Sequence, residues 1–177
     1  MLTLDELKKL CEDSNTVDYC LPVLDSPTFL TCPLSLEPDS PYSYVGGLCN
    51  HTHEIISSGI LLCSLYKNYN NTAINVREYI ISAIWCNYGK LWEYVCSDPE
   101  SQTWMYAAQN PKTETGYRSA FQFETHASSL DTDDDISVAN VVHNIFSTHI
   151  GRPATPEAHL LLSNIQLSHK LYHYKQS

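Results

Sequence analysis

Five of the chain's nine prolines, Pro22, Pro27, Pro33, Pro38 and Pro41, fall between residues 22 and 41. A proline inside a helix removes a backbone donor and collides with the preceding turn, so this stretch is incompatible with one long helix. The 177 residues are thereby divided into a short N-terminal part and a longer body. Leu30 and the adjoining Tyr42 argue against a free linker. The expectation is an irregular Pro-rich arm packed on the core, with residues 1–43 forming an N-terminal helix plus arm and residues 44–177 the main domain. Thr3-Leu4-Asp5-Glu6 fits a capping box that opens the first helix, through about Cys11.

Beyond the arm the apolar spacing turns helical. Leu48, Thr52, Ile55, Ile56, Gly59, Leu62, Cys63 and Tyr66 recur at threes and fours. The polar run from Asn68 to Asn71 interrupts the pattern, and Asn75, three residues before Glu78, offers a new cap. Val76, Tyr79, Ile80, Ala83 and Ile84 carry the next helix to Asn87-Tyr88-Gly89, where the glycine is expected to close it in the left-handed conformation. Residues 97–125 read as loop, with a short extended pair around Trp104 and Phe121. The Asp131–Asp135 run reads as a solvated helix start, since it lacks the glycine and alternating ligands of a calcium loop. Val138, Val141, Val142, Ile145 and Phe146 form the helix after it. Thr155-Pro156-Glu157 opens a last helix, with Ala158, Leu161, Leu162, Ile165, Ser168 and Leu171 as its inner face. His159, His169 and His173 fall on its surface or at its end. The expected fold class is all-α, several helices around one core.

Charge and composition narrow the function classes. A net charge of −10 excludes an extended nucleic-acid face, which needs many basic residues at phosphates. A small anionic ligand needs only a few local donors and stays open. The seven cysteines form no C-x-x-C pair, so neither a zinc ribbon nor a disulfide framework is expected. No run approaches the ~18 apolar residues that span a bilayer, so no membrane partner is expected. The N-terminus M-L-T-L-D-E-L-K-K-L has early acids and no apolar signal region, which points to the cytoplasm.

Several short pieces carry a more specific signal. Gly46-Gly47-Leu48-Cys49-Asn50-His51-Thr52 opens one helix, and Cys86-Asn87-Tyr88-Gly89-Lys90-Leu91 closes the next. Later come Thr125-His126-Ala127, Thr148-His149-Ile150-Gly151, and Pro156-Glu157-Ala158-His159 leading to Ser163-Asn164. Over about residues 44–172 this series resembles the HD-domain metal-dependent phosphohydrolase superfamily. In that family a His follows a Gly-Gly-Leu entry, a His-Asp pair precedes a Gly-Lys turn, two further histidines follow, and an Asp in the last core helix completes the site. The resemblance implies a single HD-like helical bundle with His51 as the first ligand position. It puts Cys86 and Asn87 at the defining pair, His126 and His149 at the additional histidines, and Asn164 at the last Asp.

What the resemblance implies about chemistry turns on the departures. Asn87 and Asn164 stand where the family has carboxylates, and two adjacent cations repel strongly without anionic oxygens between them. No cofactor is expected, then, and a two-metal centre least of all. The one remaining metal alternative is a single zinc on His51, Cys86, His126 and His149. The implied reading is a degenerate HD homologue, a pseudoenzyme that binds a nucleotide, a cyclic nucleotide or another phosphorylated small molecule without turnover. A sequestering protein of phage origin, acting in the host cytoplasm, fits that description. Candidate ligand contacts are His51, Cys86, Asn87, Lys90, Arg118, His126, His149, Arg152 and Asn164, with the cations Lys90, Arg118 and Arg152 facing phosphate. Two alternatives stay open. One is a metal-dependent phosphohydrolase with rearranged ligands, using Glu54, Glu93 or Glu124 for the lost acids. The other is a protein-interaction module on a retired enzyme fold, and assembly into a homo-oligomer is compatible with any of the three.

Overall fold

The computed structural model describes residues 4–70, 73–107, 115–132 and 134–176. In chain order its elements are α1 (Leu4–Asp13), α2 (Val17–Leu24), α3 (Pro27–Thr31), α4 (Gly47–Asn70), α5 (Val76–Cys86), α6 (Lys90–Glu93), β1 (Tyr94–Asp98), β2 (Thr103–Tyr106), α7 (Thr115–Ala127), α8 (Val138–His149) and α9 (Pro156–Gln176). The described architecture is predominantly helical, with one small antiparallel hairpin in which Cys96 faces Trp104.

Helix α5 is the centre of the bundle. Every residue from Glu78 to Cys86 is buried, and the helix packs against α2, α4, α7, α8 and α9. A helix covered on all sides must be apolar all round, which Tyr79, Ile80, Ile81, Ala83, Ile84 and Trp85 satisfy. Its two polar ends are tied down. The Asn75 side chain accepts from the Arg77 and Glu78 amides, as its cap position predicts. Buried Glu78 accepts from the Ser137 amide and the Asn140 side chain, which fixes the start of α8 against α5.

The arm is more ordered than the prolines suggest. Pro27 occupies the first turn of α3, where a missing N–H costs nothing, behind the Ser26 cap. Pro22 lies inside α2, and there a proline leaves the carbonyl four residues back without its helical donor. That carbonyl belongs to Asp18, and it accepts from His126 Nε2 at 2.8 Å instead. A side chain from α7 thus makes an interior proline tolerable. The irregular part of the arm shrinks to residues 32–46, with Cys32, Leu34 and Tyr42 buried.

Four further expectations are corrected. Gly89 has φ −57°, an ordinary right-handed value, and Asn87 is the residue that ends α5. Glycine is required there for closeness, because a Cβ would lie 2.3 Å from the Thr115 carbonyl oxygen. Phe121 lies in α7, not in an extended pair; Gly116, Ser119, Ala120, Phe123 and Ala127 form that helix's buried stripe at helical spacing. Asp134 and Asp135 are not merely solvated. Arg77 Nη2 meets Asp134 Oδ2 at 2.5 Å and Nη1 pairs with Asp135, while Asp133 lies outside the described residues. On α9 the inner face is rotated toward Asn164, which is 1% exposed, and Leu171 is on the outside.

No described helix is long and apolar enough to cross a membrane.

Candidate functional site

Helices α4, α5 and α9 meet along a seam that holds polar side chains in the core. His51 on α4 pairs with Asn87 at the end of α5, with Asn87 Nδ2 3.4 Å from His51 Nδ1. One turn further along α4, the Ile55 carbonyl accepts from the Tyr79 hydroxyl at 2.7 Å, and that hydroxyl accepts from Asn164 Nδ2 at 2.9 Å. His51 thus meets the end of α5 and Ile55 its beginning, so the two helices run in opposite directions. Antiparallel packing is what brings residues so distant in sequence into one seam.

The seam is closed from outside by Tyr42. Its ring lies 5.0 Å from that of His51, 6.3 Å from that of His169 and 4.9 Å from that of Tyr172. Its hydroxyl donates to Glu54 Oε2 at 2.5 Å and lies 3.3 Å from Ser168 Oγ. His51 and His169 also face each other, with ring centres 5.1 Å apart.

Three polar atoms of this seam are buried without a hydrogen-bond partner: His51 Nε2, His169 Nε2 and Asn164 Oδ1. Buried polar groups are normally satisfied, and each exception costs about 1–3 kcal/mol. An amide donating into His51 Nδ1 leaves the ring proton on Nε2, so the unpartnered atom is a donor. Burial, with His169 beside it, pushes the His51 pKa down to about 3, so the ring is neutral near pH 7. Burial also lowers the pKa of His169, with a smaller contribution from His173.

Next to this group sits a second pair. His149 Nε2 donates to the Cys86 carbonyl at 2.5 Å and lies 3.5 Å from its sulfur. Burial pushes the Cys86 thiol up to about 12, so the sulfur keeps its proton at pH 7. Lys90 is close enough to bias the His149 ring against protonation, which puts a cation near the α5–α6 end of the seam.

The structure therefore distributes the candidate residues. His51, Asn87 and Asn164 share the seam, and Cys86 with His149 flanks it. His126 does not join them: its ring stacks on Trp85, 5.9 Å between centres, and its Nε2 serves Asp18. Lys90 bonds Glu93 and Tyr94, Arg118 lies on α7 beside Trp92 and Tyr117, and Arg152 is exposed beyond α8. A zinc site on His51, Cys86, His126 and His149 does not fit this arrangement. His126 points elsewhere, stacked on Trp85 and bonded to the Asp18 carbonyl. Among the described residues, no three His, Cys, Asp or Glu side chains come together to hold a metal ion. Of the substitute acids, Glu54 bonds Tyr42, Glu93 is buried against Thr115 and Lys90, and Glu124 lines a groove between α7 and α8.

Two partners in the seam escape the sequence reading. His169 was placed on the surface, yet it packs on His51; the only signal was its position next to the inward Ser168. Tyr42 follows Pro41 and gives no periodic signal at all.

Compared with protein-family models, with curated proteins and with solved structures, the chain matches none.

Proposed function

We propose that the α4–α5–α9 seam binds a phosphorylated nucleotide and returns it chemically unchanged. The observation that carries this reading is the group of buried, unpartnered atoms, His51 Nε2, His169 Nε2 and Asn164 Oδ1. A base edge carries acceptors, which suit the His51 N–H, and donors, which suit the Asn164 amide oxygen. Asn87 and Asn164 are neutral amides where the family has carboxylates, which removes the repulsion that paired acids would exert on phosphate. Lys90, held by Glu93 and Tyr94, lies near His149 at the α5–α6 end of the seam, where a phosphate would meet a cation. Asn87 and Asn164 can only hydrogen-bond, and the carboxylate at the edge of the seam, Glu54, is engaged by the Tyr42 hydroxyl. The resemblance to HD enzymes supports the same location, because its first histidine and last acid correspond to His51 and Asn164.

The test is calorimetry against mono-, di- and cyclic nucleotides, followed by chromatography of the recovered ligand. Binding should survive chelators, and Asn164→Leu or His51→Leu should weaken it tenfold or more. Phe121→Ser, outside the seam, should leave it unchanged. Metal-dependent cleavage products would turn the reading to a phosphohydrolase with rearranged ligands. A second reading, a protein-interaction module, draws on exposed aromatic residues between α7 and α8, and absence of binding across the whole panel would favour it.

A further inference from the structure

The seam contains an occupant supplied by the chain itself. Tyr42 is only 1% exposed and has φ +58°, a left-handed conformation that tyrosine rarely adopts. Residues are held in such conformations only where their surroundings over-determine them. Here the surroundings are specific. The Leu34 amide donates to the Tyr42 carbonyl at 3.0 Å, and a Cβ at Gly47 would lie 2.0 Å from that same oxygen. The two ends of the segment are pinned as well, by Gly46 N to Thr31 O at 2.9 Å and Leu48 N to Cys32 O at 3.0 Å. Between those pins the segment makes a strap, and its one deeply inserted ring is Tyr42.

That ring explains why the polar atoms beneath it lack partners. The faces and edges of an aromatic ring accept hydrogen bonds poorly, and His51 and His169 both abut it. Tyr172 packs against it from α9. The space it fills is therefore lined by His51, His169 and Tyr172, and is shaped for a flat ring. The phenol tether is polar and adjustable, to Glu54 and Ser168.

We propose that Tyr42 is a displaceable plug, and that the ligand which replaces it is a planar aromatic base presenting an acceptor edge to His51 Nε2. The proposal rests on the seam being the nucleotide site and adds to it both the part of the nucleotide that enters and the residue that must leave. Displacement releases a strained backbone and gives the His51 Nε2–H group the acceptor that the tyrosine ring withholds. Affinity in the native chain is reduced by the fraction of molecules in which the plug is seated.

The experiment compares the native protein with Tyr42→Gly, which removes the ring and suits the positive φ. Both are titrated calorimetrically with the four ribonucleoside 5′-monophosphates. Tyr42→Gly should bind at least one of them tenfold or more tightly than the native chain, and p-cresol, which mimics the lost side chain, should compete. Equal affinities in the two proteins would overturn the plug and leave the nucleotide site standing. Failure of both to bind would overturn the two readings together, and binding without p-cresol competition would overturn the shared location. A readout on the native chain covers the case in which the variant does not fold. Saturating nucleotide should accelerate hydrogen exchange at the Leu34 amide, because its acceptor is the Tyr42 carbonyl. Slower or unchanged exchange there would contradict displacement, since simple occupancy protects amides.

Discussion

The α4–α5–α9 seam and the α7–α8 groove violate opposite rules of folding. In the seam, His51 and Asn164 are each 1% exposed and carry polar atoms without partners. In the groove, a space of about 440 Å³, Tyr117 and Phe121 stand 65% and 54% exposed beside Val142 and Phe146. Unsatisfied polar atoms destabilise the core, whereas exposed aromatics merely forgo burial. The first departure is therefore much more costly than the second. A chain selected for stability alone would fill the seam with leucine and could leave the groove as it is. The contrast makes the inside of the bundle the region where sequence changes carry the larger energetic consequence.

The most severe way to break this contrast is to remove the side chain that organises the seam. Tyr79 is fully buried, packs against Gly59 and joins Ile55 to Asn164. Tyr79→Ala should cost about 3–5 kcal/mol in urea unfolding. Tyr79→Phe should cost about 1–3 kcal/mol, the penalty for stranding the Asn164 amide and losing the added bond to the Ile55 carbonyl. A loss from Tyr79→Ala no greater than that from a groove substitution would mean the seam is not the tighter region.

Acid offers a subtler probe. With a folded pKa of about 3 against an ordinary 6.5, His51 stays neutral in the native state while the unfolded chain takes up a proton. The unfolded state then binds more protons between those values, so stability rises with pH across that window and is lost as pH falls below 6.5. Between pH 7 and 5.5 this histidine alone should remove about 1 kcal/mol. His169 acts in the same direction. His51→Leu should flatten that part of the profile in denaturant melts, and an unchanged slope would mean the ring is not buried neutral.

At the other end of the scale is the groove. Phe121→Ser should change stability by no more than about 0.5 kcal/mol, as expected for an exposed site. A larger loss would show that the groove is covered in solution and would erase the distinction between the two regions.

Helix positions were readable because local physics sets them. The Asn75 cap, the Thr155-Pro156-Glu157 start and the three-and-four spacing of α4 depend on neighbours within one or two turns. The same locality explains the failures. Nothing near Pro22 announces that a histidine 104 positions later will take its orphaned carbonyl, and nothing near Gly89 shows the Thr115 backbone pressing on it. The association of His51 with Asn87 and Asn164 was expected only through resemblance, and the separation of His126 from them was not expected.

What the sequence determined by itself is a mainly helical chain with a proline-rich segment that cannot be one helix, and a set of histidines accompanied by asparagines, Asn87 and Asn164, where the family it resembles has carboxylates. Only the tertiary structure decided which of those side chains meet. The antiparallel packing of α4 against α5 and α9 joined His51, Asn87, Asn164 and His169, and the strap set Tyr42 above them. Backbone preferences act over a few residues, so they can be read locally. Side-chain contacts across a core depend on how whole helices pack, and that is settled by the shape and burial of every face at once.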